Sequence, residues 1–178
     1  MTAWTKIITT GTSVGGIALL LVGAACQVAG ARVNTSKSIP LGLYWTTSAP
    51  MDKGAYVLVC PPDAEVFRQA RERGNIGAGF CPGGYGYLMK QVVATQRDTV
   101  TVSVEGVRIN GDVLPLSAPR PADTAGRQLP RYEANDFVLG QEEVLLMSDR
   151  SATSFDGRYF GPISRSQLKT TIKPILTW

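Results

Sequence analysis

From Ile7 to Gly30 the chain carries no charged residue, and the next one is Arg32. Beyond it the sequence breaks into short apolar stretches separated by turn residues. A helix needs ~20 mostly apolar residues to span the hydrocarbon core of a bilayer. The leader reaches that length only by including Thr9, Thr10, Thr12 and Ser13, and its most apolar part is Val14 to Cys26. The expectation is an N-terminal membrane-spanning helix within residues 1–31, followed by one domain over residues 32–178. Two alternatives stand beside it. Gly23-Ala24-Ala25 offers the small residues of a cleavable leader, and Cys26 could be lipidated, although Gly23 sits where a lipobox would want leucine. Lys6 on one side, with Arg32 and Lys37 on the other, leaves orientation undecided by charge.

After Arg32 the expected fold is mainly β, a barrel or sheet with one short helix. Ala55 to Cys60 and Tyr87 to Thr95 read as buried strands, and so does Glu143 to Met147. Thr99 to Val104 and Val107 to Ile109 form a hairpin around Glu105-Gly106. The helix runs from Asp63 to Arg73, with Asp63 as N-cap, Gly74 as the stop, and Val66, Phe67 and Ala70 on one face. Ser117 to Arg131 is a surface loop. Cys60 and Cys81 bracket an insert, residues 60–81, that contains the helix. In an oxidising compartment a disulfide between them would close a loop of roughly twenty residues, worth ~3 kcal/mol in chain entropy. In a reducing one they are two small buried thiols.

The chain contains no histidine, which excludes Ser-His-Asp and Cys-His proteases and histidine-based metal sites. Cys26, Cys60 and Cys81 form no metal-ligand cluster, so neither metal nor cofactor is expected. Eighteen basic residues against 14 acidic give a net charge of +4. They are scattered singly, a pattern that argues against a nucleic-acid partner and suits a surface near anionic membrane lipid.

Without histidine, a nucleophilic serine needs another base. A neutral lysine can serve, but holding its amine neutral at pH 7 costs about 4–5 kcal/mol unless burial lowers its pKa. Of six lysines, Lys90 alone sits inside a long apolar stretch, Tyr85 to Ala94. The ordinary alternative is a structural lysine emerging at a sheet edge. The hydroxyl-rich segment Asn34 to Tyr44, with Pro40 and Gly42, is either a loop that caps turns or the source of the nucleophile.

Four stretches resemble, in order and spacing, the signal peptidase I-like serine proteases. They are Ser36-Lys37-Ser38-Ile39-Pro40, then Tyr87-Leu88-Met89-Lys90-Gln91-Val92-Val93, then Arg97-Asp98-Thr99-Val100, and finally Leu145 to Arg150 followed by Ser154 to Gly161. The resemblance implies a Ser38 nucleophile and a Lys90 general base. It further implies Ser36 as a supporting donor at the oxyanion hole, Ser154 orienting the lysine amine, and Asp156 with Arg158 bracing the floor. Ile39, Leu88 and Met89 fall where such enzymes form shallow pockets for small residues. Lys-Gln in the second stretch and Ser-Asp-Arg in the last depart from the commoner patterns. With Asn-x-Ser-x-Ser-x-Pro-x-Gly-x-Tyr and the 60–81 insert, they resemble the TraF-type branch. That branch implies a pilin precursor as protein partner, cyclisation of the product, and an inner-membrane location with the catalytic domain in the periplasm. The alternatives are a general signal peptidase that hydrolyses exported preproteins and a non-catalytic pilus-assembly component.

Overall fold

The computed structural model describes residues 3–178, with side chains of the first helix described from residue 15 onward. That helix, α1 (Ala3–Val28), is followed by a turn and then β1 (Ala31–Asn34). From Gly15 to Ala29 every position is exposed. Among the described residues no helix is long and apolar enough to cross a membrane. Of the expected spanning helix only its helical form is shown: residues 7–14, which it needs to reach ~20 residues, lie outside those whose side chains are described.

The strands that follow are β2 (Gly42–Thr47), β3 (Tyr56–Val59), β4 (Leu88–Ala94), β5 (Thr99–Ser103) and β6 (Gly106–Ile109). Then come β7 (Asp112–Val113), β8 (Ala134–Val138), β9 (Glu143–Met147), β10 (Ile163–Ser164) and β11 (Leu168–Thr177). Two antiparallel sheets result: seven strands in the order β1-β2-β11-β3-β4-β9-β10, and four in the order β7-β6-β5-β8. The fold is mainly β, as expected. The fully apolar run of β9 has a physical reason, because its two faces serve two cores. Val144 and Leu146 pack with Val57, Val59 and Val92, while Leu145 and Met147 pack with Val100, Val102 and Val107.

The chain's last strand, β11, lies between β2 and β3, where a threonine-rich tail was all the local sequence signalled. Thr171 and Ile172 are buried there. Pro174 lies beyond the stretch that pairs with β3, next to a register shift between Pro174 and Leu176. A proline, lacking an N–H, is accommodated at such an irregularity. Gly42 is required opposite it: its φ is +152°, and a Cβ would collide with the Leu176 carbonyl.

The 60–81 insert is closed by a disulfide between Cys60 and Cys81. Its helix α2 (Glu65–Glu72) buries Phe67 and Ala70. Asp63 is not the N-cap. That position is Ala64, without a side-chain cap, and Asp63 instead accepts from Arg68 Nη1 at 2.7 Å. The Phe67 ring meets Phe155 at 6.2 Å and Phe160 at 4.9 Å between centroids. The insert thereby packs on the segment that carries Ser154 and Asp156. A second brace joins the sheets through Asp98, which accepts from Lys53 Nζ, Asn110 Nδ2 and the Thr95 N–H at 2.7, 2.7 and 2.8 Å. Burial alone would push the Asp98 carboxyl up, but these donors outweigh it and hold it below the usual range.

Candidate active site

Strand alternation puts Lys90 on the same face of β4 as Val92, and both are buried. Only 2% of Lys90 is exposed. Its Nζ lies 2.8 Å from Ser38 Oγ and 2.6 Å from Ser154 Oγ. The two hydroxyl oxygens are 3.2 Å apart. Segments 52 and 64 residues away from the lysine therefore meet on one amine. Desolvation pushes the Lys90 ammonium down from 10.5 to about 8, with Asp156 opposing the shift and Arg158 reinforcing it. Roughly a tenth of the amine is then neutral at pH 7, enough for a base that regenerates each turnover.

The loop between β1 and β2 that carries Ser38 is organised by a residue that the sequence marks only as the first of the Asn-x-Ser-x-Ser-x-Pro-x-Gly-x-Tyr pattern. Asn34, at the end of β1, is buried and donates through Nδ2 to the carbonyls of Ser36, Ile39 and Pro40 at 2.8, 3.0 and 3.0 Å. Its Oδ1 accepts from the Ser36 N–H at 3.1 Å and the Ser36 hydroxyl at 2.9 Å. Tyr44 closes the loop from β2, donating to the Pro40 carbonyl at 2.7 Å. The signal available in sequence was an asparagine followed by alternating hydroxyl residues, the pattern of an Asx turn. Ser36 thus faces Asn34, and donating its hydroxyl to an oxyanion requires giving up that bond. Among the described residues no backbone acceptor takes the Ser38 N–H.

Behind Ser154, Asp156 caps the one-turn helix α3 (Gly157–Phe160) and both Asp156 and Arg158 are fully buried. Arg158 donates from Nε and Nη2 to the two carboxylate oxygens at 2.7 and 3.0 Å. Its remaining N–H groups reach the carbonyls of Leu116, Ala152 and Ser151 at 2.8, 3.2 and 3.3 Å. The Ser148 N–H donates to Asp156 at 3.0 Å. Every donor thus finds an acceptor, and the loop after β9 is tied to the segment near residue 116.

The three apolar residues expected at shallow pockets belong to two clusters. Ile39 and Met89 pack together with Tyr44, Leu58 and Ile172, whereas Leu88 packs with the insert-side core around Phe67. The reason is parity: Leu88 and Met89 are adjacent on β4 and point to opposite faces.

The sequence matches the family model of signal peptidase, peptidase S26, over residues 1–178. A plasmid transfer protein TraF of Escherichia coli is 65% identical over 173 residues, covering 97% of each chain. A conjugal transfer protein TraF of Agrobacterium fabrum strain C58 is 33% identical over 168 residues, covering 92% of this chain and 93% of that one. A crystal structure of a signal peptidase I from Enterococcus faecalis V583 aligns with a TM-score of 0.39 and 14% identity over 70% of this chain and 98% of that one, a likeness too loose to bear on the fold. A match across the whole chain, with relatives covered almost end to end, identifies it: this chain belongs to the S26 signal peptidase family and is of the TraF type.

Proposed function

We propose that the protein is a membrane-bound serine endopeptidase that cleaves a pilin precursor for conjugative transfer and cyclises it through an acyl-enzyme on Ser38. The observation that carries the catalytic part is the 2.8 Å separation of Ser38 Oγ from the buried Lys90 Nζ. In the neutral amine the nitrogen lone pair accepts the Ser38 proton while an N–H donates to Ser154. The Ser38 oxygen attacks the substrate carbonyl, and the Ser38 N–H, joined by the Ser36 hydroxyl once it turns from Asn34, stabilises the oxyanion. Lys90 passes its proton to the departing amine, which leaves an ester on Ser38. An amine of the same pilin chain then attacks that ester. An amide forms, Lys90 takes the amine's proton and returns it to Ser38, and no water is consumed. Tethering supplies a high effective concentration of the amine, so no further nucleophilic residue is needed.

The substrate class rests on the relatives, which are named plasmid transfer and conjugal transfer proteins. An inner-membrane location with a periplasmic catalytic domain is supported by two features. Ile17, Leu19, Leu20, Leu21 and Val22 are all exposed on α1, and the Cys60–Cys81 disulfide suits an oxidising compartment. The test is mass spectrometry of the pilin after incubation with wild-type, Ser38→Ala and Lys90→Arg protein. Wild type should yield a product one water lighter than the linear cleaved chain. Both variants should be folded and at least about 10⁴-fold slower, because arginine cannot become a neutral base. Only linear product would leave a hydrolase, and an active Lys90→Arg protein would refute the dyad.

A further inference from the structure

A cavity of about 380 Å³ opens against the nucleophile loop, bounded by Ile39, Pro40, Leu41 and Trp178, with Lys37 and Arg150 contributing the charge. Lys37 and Ile39 are the two neighbours of Ser38, so the cavity begins one residue from the attacking oxygen. Among the described residues, neither cation has a carboxylate within ion-pair distance. The acidic group nearest in sequence to Arg150, Asp149, is engaged by the Tyr56 hydroxyl at 2.6 Å. Two like charges with no carboxylate at ion-pair distance, beside apolar walls, make a site complementary to an anion carried on an apolar stem.

Resting on the peptidase reading above, we infer that this cavity is a subsite for a carboxylate-bearing residue of the substrate, close to the scissile bond. An extended substrate advances about 3.3 Å per residue, so a residue only a few positions from the bond at Ser38 reaches it. Glutamate fits better than aspartate, since its longer stem can lie on the half-buried Pro40 and Leu41 while the carboxylate meets Lys37 and Arg150. This recognition differs in kind from a shallow pocket for alanine or glycine, because it selects by charge. It would mark out one substrate among many chains with small residues at the cleavage site.

The test uses the full chain in neutral detergent and fluorogenic peptides that are identical except for Glu, Gln or Lys at each of the four positions on either side of the scissile bond. At one position wild type should prefer Glu over Gln by about tenfold in kcat/KM, chiefly through KM. The preference should fall as salt is raised. In Lys37→Glu and Arg150→Glu proteins the Glu-to-Gln ratio should collapse and Lys become the favoured residue. A flat ratio at every position, or an unchanged one in both variants, overturns the inference while cleavage itself upholds the peptidase. If no peptide is cleaved, the peptidase reading falls and takes this inference with it. Binding to vesicles of phosphatidylcholine with and without phosphatidylglycerol separates the other source of anions. Charge reversal that weakens only the phosphatidylglycerol binding and leaves the peptide ratio flat would make this a lipid headgroup site and overturn the inference.

Discussion

Lys90 and the Asp156–Arg158 pair are buried to nearly the same degree, at 2%, 0% and 0% exposure, yet they are solvated by the protein in opposite ways. Arg158 faces a carboxylate and backbone carbonyls, so its charge is matched and all its donors are used. Lys90 faces two hydroxyls, which accept a hydrogen bond but return no charge. A matched buried ion keeps its charge and holds two loops together. An unmatched one loses part of its charge, which is the condition for a base near neutral pH. Burial alone therefore does not distinguish a structural ion from a chemical one.

The largest effect that tests this contrast is expected at Arg158. Replacing it by leucine leaves the Asp156 carboxylate buried without a partner and frees the carbonyls of Leu116 and Ser151. The unfolding free energy should drop by about 3–5 kcal/mol, read from denaturant unfolding in detergent. A drop below 1 kcal/mol would mean that solvent reaches the pair and that its role as a brace is misread.

At Lys90 the sign should reverse. The amine titrates at about 8 in the folded protein against an ordinary value of 10.5. Below about pH 8 both states hold the proton and the folded state bears the full penalty, roughly 3 kcal/mol. Between about 8 and 10.5 the unfolded chain binds more protons than the folded one, so stability rises with pH until the penalty is gone. Lys90→Met should therefore be inactive but more stable than wild type by about 2–3 kcal/mol at pH 7. That gain should shrink steadily as pH approaches 10.5. A gain that does not depend on pH would show that the amine is not desolvated.

The smallest effect is expected at Ser154. Its hydroxyl accepts from Lys90 at 2.6 Å, an interaction that favours the charged amine. Ser154→Ala should lower kcat about tenfold with KM little changed, since the substrate does not rely on that hydrogen bond. The midpoint of the pH–rate profile should move below its wild-type position near 8, because an acceptor for the ammonium has gone. A midpoint that moves upward would assign Ser154 a different role.

Much of the strand framework was legible in order of sequence. The alternation around Lys90, the hairpin at Glu105-Gly106 and the continuous run Glu143 to Met147 are local signals with local causes, and each stands as a strand. The strands β2 and β11 escaped the same reading. Gly42 to Thr47 follows a hydroxyl-rich loop, and Leu168 to Thr177 mixes threonine and lysine with its apolar residues and carries a proline, so neither has a strong apolar period. Their pairing with each other supplies what local pattern lacks. The cap at Asp63 failed for a related reason. An exposed arginine five residues on competes for the carboxylate that would otherwise take the helix N–H groups.

By itself, the amino-acid sequence determined that any base here had to be something other than histidine, and that Lys90 alone of the six lysines sits inside a long apolar stretch, because composition and local pattern are properties of the chain. Through its motifs it also named Ser38, Ser154, Asp156 and Arg158. Only the tertiary structure decided that Ser38 and Ser154 converge on one amine, that Leu88 parts from Ile39 and Met89, and that Asn34 holds the nucleophile loop by five hydrogen bonds. It alone set Lys37 and Arg150 on one cavity. The physical reason is that periodicity fixes which way a side chain points, whereas the partner it meets depends on which distant strands pair, and that is settled by the packing of the whole chain.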